Sequence, residues 1–197
     1  MPLLLIAPPA LMAQALPPVA PQALEHVQDL LEAIPEALID GKPGTMRGLV
    51  AKAKAGWDKA RPELRKAMPE PELIFIDRQL KAMQTMKPRE QAVGALGISS
   101  TLSRFQGKSR QQDLLTADRA TMLAWCGVDA GQWNQLPRVA EAFKPLIDQD
   151  KGQHPLVVAG IQEALKRFQA NQQKHQAAGA KKALKDLLGF VDMLEKP

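Results

Sequence analysis

Two dipeptides, Asp77-Arg78 and Asp118-Arg119, are the residues of this chain best placed to do chemistry. Asp118 falls four positions after Leu114 and four before Met122. Helical geometry therefore sets its carboxylate on an apolar stripe. Asp77 lies four positions after Leu73 and borders its own stripe. A charge in a helix core needs a partner, because an uncompensated one costs several kcal/mol. Arg78, Arg119 and Arg104 are the arginines closest at hand. Two arrangements satisfy these residues. In one, Asp77, Arg78, Asp118 and Arg119 line an interhelical pocket for a small anionic or zwitterionic ligand. In the other they form ion pairs that only fix helix register.

Other chemistries have less to work with. His26, His154 and His175 are far apart, and none stands in an H-x-x-x-H, E-x-x-H or H-x-x-E arrangement. Those spacings place two ligands on one helix face, so no metal site is expected. C-x-x-C-H is absent, which argues against covalent haem, and no cofactor is expected. Met46, Met68, Met83, Met86, Met122 and Met193 occupy stripe or near-stripe positions and read as core filler. There is no G-x-S-x-G elbow and no P-loop, so no catalytic residue is assigned. Cys126 is the sole cysteine and excludes an internal disulfide. Its setting, Met122-Leu123-Ala124-Trp125-Cys126, predicts burial as a small hydrophobe.

Charge and composition narrow the partners. The net charge is +5, and tyrosine is absent. Both argue against a nucleic-acid binder, which wants concentrated cations and stacking aromatics. The densest cations are Lys166, Arg167, Lys174, Lys181, Lys182 and Lys185, with no acidic residue among them. They read either as a solvated helix face or as a weak contact for an anionic surface.

The first fifteen residues supply an address. Leu3 to Ile6 opens an apolar run that reaches Met12, and Ala13-Gln14-Ala15 is a small-x-small cleavage pattern. We expect residues 1–15 to be a Sec-type signal peptide cut after Ala15, and the chain to be periplasmic or secreted. No basic residue precedes Lys42; an earlier start codon would supply the usual basic opening. The run is roughly a dozen residues against the ~20 a bilayer span requires, so no transmembrane segment is expected. Pro17, Pro18 and Pro21 predict an extended stretch over 16–21.

The remainder, 22–197, reads as one all-helical domain, an antiparallel bundle of about six to seven helices. Its 45% hydrophobic and 24% charged residues are those of a globular chain with one core. Leu24, Val27, Leu31, Ile34 and Leu38 give the first amphipathic stripe, which Gly41 to Gly44 ends. Thr45 is placed to cap the second helix, whose stripe is Met46, Val50, Ala53, Trp57, Ala60 and Leu64, with Pro62 expected to kink or divide it. Leu73, Ile76, Leu80 and Met83 mark a third helix. The fourth, about 89–105, carries Gly94 and Gly97 and should lie at the bundle centre. A fifth presents Leu114 to Trp125, and a sixth starts at Trp133 and presents Leu136, Ala140, Phe143 and Ile147. Residues 154–194 form two helices or one long one, burying Leu156, Ile161, Leu165 and Phe168 at the start. The Trp and Asp-Arg motifs occur in opposite order in the two parts of the chain, which argues against a tandem repeat.

Such a chain has good packing stripes and no concentrated chemistry. Two functions remain in competition. One is an exported, non-catalytic interaction protein whose partner is another envelope protein. The other is a small-ligand binder using the Asp-Arg pocket, with a metal or haem carrier a weaker third.

Overall fold

Apolar residues spaced by threes and fours fold as helices throughout, and the breaks fall at glycine and proline. The computed structural model describes residues 20–106 and 109–195. Eight α-helices cover most of them: α1 (Ala20–Ile39), α2 (Met46–Leu64), α3 (Glu70–Met83), α4 (Pro88–Ser103), α5 (Arg110–Asp129), α6 (Val139–Asp150), α7 (Pro155–Gln173) and α8 (Ala177–Glu195). The fold is an all-α helical bundle, and no strand occurs among the described residues. The expected leader, residues 1–15, lies outside them. α1 already includes Ala20 and Pro21, the end of the stretch expected to be extended.

The helices form two halves of like order. In the first, α1 packs on α2 and α4, and α3 joins α2 to α4. In the second, α5 packs on α6 and α8, and α7 joins them. Each half opens with a helix of 20 residues, closed by a glycine at positive φ and a single 3-10 turn. Gly41 (φ 72°) and Gly131 (φ 70°) take the left-handed conformation. The amide of Lys42 donates to the Ala37 carbonyl at 2.7 Å, and that of Gln132 to Gly127 at 2.9 Å. These bonds satisfy carbonyls that a helix end leaves open. The Trp and Asp-Arg motifs did not reveal this repetition, because it lies in helix order and caps.

Buried side chains accordingly gather into two clusters. The first holds Leu24, Trp57, Ile76, Leu80 and Leu102. The second holds Leu114, Phe143, Ile161, Leu184 and Leu187. The halves meet where α4 and α1 pack on α5. Cys126 of α5 belongs to the first cluster, and Trp125 packs against both.

Several local expectations are corrected. Thr45 sits at the start of α2 but makes no side-chain cap; its hydroxyl donates to the Lys42 carbonyl at 2.9 Å. α2 runs through Pro62 undivided and ends at Leu64. The sixth helix starts at Val139 rather than Trp133, because Pro137 holds Leu136 extended (ψ 138°). Of the two arrangements expected for residues 154–194, the two-helix one holds, with α7 and α8 joined through His175 at φ 51°. Leu156 is 86% exposed instead of buried. The stripe of α7 runs Val158, Ile161, Leu165, Phe168, and two residues back from Val158 is roughly 200° around the helix. Met193 is likewise exposed, at 57%.

A Cβ at Gly41 or Gly131 would meet nothing within 4 Å. Any cost of adding one is therefore conformational. Gly131→Ala should destabilise by ~1–2 kcal/mol, the penalty of a left-handed non-glycine residue. Gly41→Ala should do the same, and chemical denaturation would measure both.

Candidate functional site

Asp77 leaves α3 toward α2 and is held there by two donors. Trp57 Nε1 donates to its Oδ1 at 2.6 Å, and Arg61 Nε to its Oδ2 at 3.0 Å. Trp57 and Arg61 stand one turn apart on α2, so the indole and guanidinium reach the same carboxylate. Trp57 is fully buried and its N–H needs an acceptor there. Arg61 continues to Glu70, which Arg65 also meets, at 3.4 and 3.5 Å. The partner of Asp77 is thus Arg61, not Arg78, which is exposed. This network joins α2 to α3.

Asp118 and Arg119 fall elsewhere, at the seam between the halves. Arg119 is 6% exposed and spends its guanidinium on backbone: Nε donates to the Leu115 carbonyl at 2.9 Å and Nη1 to that of Ser99 at 2.7 Å. It therefore ties α5 to α4. Burial pulls its pKa below the usual arginine value, against the pull of Glu32 and Asp118. Asp118 is half-buried. Burial raises its carboxyl well above the ordinary range, helped by Glu32, Glu36, Glu195 and Asp192. The structure thus brings Asp118 to Arg119, but joins neither to Asp77 or Arg78 through a hydrogen bond or ion pair. The four do not line one pocket.

What gathers instead is a set of carboxylates from three helices. Glu32 of α1 and Asp118 of α5 are half-buried there, and the exposed carboxylates Asp29 and Glu36 of α1 and Asp192 and Glu195 of α8 add negative charge nearby. Burial pushes Glu32 up to about 7, with Arg119 opposing and Asp29, Glu36 and Glu195 adding to it. Loss of water, then Asp192, Asp40 and Glu195, raises Glu36; loss of water, Asp192 and Asp29 raise Glu195. The Oε1 atom of Glu32 is buried and accepts no hydrogen bond. Among the described residues, no Lys or Arg makes an ion pair with Glu32, Glu36, Asp118, Asp192 or Glu195. The sequence carried a signal for this. Asp29, Glu32 and Glu36 step by threes and fours along one side of α1, and Asp40 follows just past its end. No set of three metal-ligating side chains is arranged to hold an ion among the described residues.

The late cations are partly consumed inside the fold. Arg167 pairs with Asp186 at 2.9 Å, and Lys185 lies 3.9 Å from Asp40. Lys181 bonds Asp129 and sits 4.4 Å over the Trp125 ring. Arg89 reaches Asp129 from α4 at 3.6 Å, so one carboxylate ties α4, α5 and α8. Lys166, Lys174 and Lys182 are exposed. Cys126 is 2% exposed, and burial pushes its thiol up to about 12, which removes it as a nucleophile at neutral pH. No described helix is long and apolar enough to cross a membrane.

Two surface features remain. A groove of about 270 Å³ runs between the start of α6 and the end of α7, with Leu136, Leu165 and Phe168 inside and Arg138 and Gln172 at the rim. Leu156 and Met193 project at the open end of the α7–α8 hairpin. Compared with known proteins, the chain matches no family model, no curated sequence and no solved structure.

If Asp77 joins helices, its loss should be felt as stability. Asp77→Ala strands the Trp57 N–H and should cost about 2 kcal/mol. Arg78→Ala, on the exposed side, should stay within about 0.5 kcal/mol. Urea denaturation of both variants checks the contrast.

Proposed function

We propose that this chain is an exported helical-bundle binding protein that holds a partner without catalysis. The observation that carries the reading is the exposed pair Leu156 and Met193, at 86% and 57%. α7 and α8 run antiparallel through the turn at His175, and the pairing of Arg167 with Asp186 fixes their register. Leu156, near the start of α7, and Met193, near the end of α8, therefore both fall at the open end of that hairpin. Among the described residues the exposed large apolar side chains are Ile74 on α3, at 39%, and this more exposed pair near one end of the α7–α8 hairpin, which we take as the contact surface. The inert Cys126 supports a role without a thiol nucleophile. The export half rests on the leader pattern before Leu16. An envelope protein with an apolar contact face is the partner this favours. The basic segment is a weaker docking site, because Arg167, Lys181 and Lys185 already have acidic partners.

The groove beside α6 favours a second reading, a small-ligand binder. Its lining mixes apolar Leu136, Leu165 and Phe168 with polar Gln169 and Gln172, and Arg138 at its edge already pairs with Glu141 at 3.0 Å, so a small amphipathic ligand is the occupant it suits. Any such ligand would be held there rather than by Asp77, Arg78, Asp118 and Arg119.

Leu156→Ser/Met193→Ser should fold with unchanged Tm and lose the envelope proteins that the parent chain captures from its own host. The same capture from both chains would count against the docking surface, and no capture by the parent would end the reading. Intact mass of the exported protein should begin at Leu16.

A further inference from the structure

The carboxamides of this chain are unevenly spread. Both asparagines, Asn134 and Asn171, fall in two short segments that are also rich in glutamine, 132–135 and 169–176. The fold brings these segments together. Trp133 stacks on His175, with ring centroids 5.2 Å apart and planes 15° from parallel. His175 holds a left-handed backbone at φ 51°, a conformation that favours glycine, and from there its ring covers Trp133. The groove between α6 and α7 adjoins this stack. Leu136 in its wall follows Trp133 by three residues, and Gln172 precedes His175 by three.

Glutamines inside the bundle are used to hold it together. Gln28 and Gln106 bond each other, and Gln91 and Gln112 donate to the carbonyls of Met83 and Ser103. Among the described residues, no side-chain hydrogen bond uses the carboxamide of Gln169 or Gln172. Both line the groove. Leu165, Phe168, Gln169 and Gln172 share one face of α7, so that wall passes from apolar to polar toward the stack. The two charged residues of the lining, Arg138 and Glu141, pair at 3.0 Å and leave it without net charge.

We propose that this groove binds a neutral N-acetylated saccharide, resting on the second reading above, in which the groove holds a small ligand. A sugar ring has C–H faces that suit Leu136, Leu165 and Phe168, and hydroxyls around its edge. A carboxamide offers two donors and an acceptor, which matches a hydroxyl that needs both. The acetamido group brings a methyl for the apolar end. Its amide can pair with Gln169 or Gln172 as donor and acceptor at once. The volume of about 270 Å³ lies just under the roughly 300–1,000 Å³ of ordinary ligand clefts, which limits the occupant to one or two rings. A charged ligand gains less here, because it must compete with the ion pair of Arg138 and Glu141.

Titration of N,N′-diacetylchitobiose into the isotope-labelled full chain, followed by NMR, tests this. The side-chain amide signals of Gln169 and Gln172 should shift and saturate, while those of Gln28 and Gln91 in the first half stay in place. Gln169→Ala/Gln172→Ala should keep the Tm of the parent and bind about tenfold more weakly. Cellobiose, which has two rings and no acetamido group, should also bind more weakly. Hexanamide probes the groove without a sugar. If hexanamide shifts the groove signals and the chitobiose does not, the saccharide is overturned and the ligand groove stands. If neither shifts them, both readings fall. Equal affinity of the parent and the double variant, or of the two disaccharides, also overturns the proposal.

Discussion

α5 packs against both cores along its middle, which leaves the charged residues there little contact with water. Leu114, Ala117, Ala124 and Val128 serve the second core, while Cys126 serves the first. Asp118 and Arg119 must therefore lie where the halves meet. Arg119 resolves its own problem by donating to two backbone carbonyls. Among the described residues, Asp118 and Glu32 then have no ion pair. The charge of the seam follows from one arginine being committed elsewhere.

The rest of the architecture can be read outward from this helix. Each half begins with a long helix that packs on its second and fourth members. The left-handed glycine and 3-10 turn after it redirect the chain in both halves. Polar ties then hold particular joints. Asp77 fastens α3 to α2, and Asp129 draws Arg89 and Lys181 onto the end of α5. Carboxylates with cationic or N–H partners act as fasteners here. Glu32 and Asp118 at the seam have no ion-pair partner among the described residues.

Much of the fold was legible because helical burial has a period. The stripes of α1, α2 and α3 name the residues that are buried, such as Val50, Trp57, Ile76 and Leu80. The small residues of α4 signalled its central place, and it does pack on α1, α2, α3 and α5. Boundaries were less legible where periodicity ran on past a proline. The stripe from Trp133 is regular in sequence, yet Pro137 breaks it. Leu156 was misread because apolarity was counted without its angle around α7.

The candidate site was legible only in part, for a reason of range. Asp118 was singled out by its place on a stripe, and it is indeed withdrawn from water. The neighbours that define its chemistry, Glu32, Glu36, Asp192 and Glu195, come from helices remote in sequence. Spacing within a helix cannot announce them, although the acidic series on α1 was visible. Nor could it have paired Asp77 with Arg61, which requires α2 to lie beside α3. The most direct test of this account is the titration of the Glu32 side-chain carboxyl carbon by NMR in the intact chain. The account requires a midpoint near 7. A midpoint near 4.5, the ordinary glutamate value, would contradict it and leave the seam as a solvated surface.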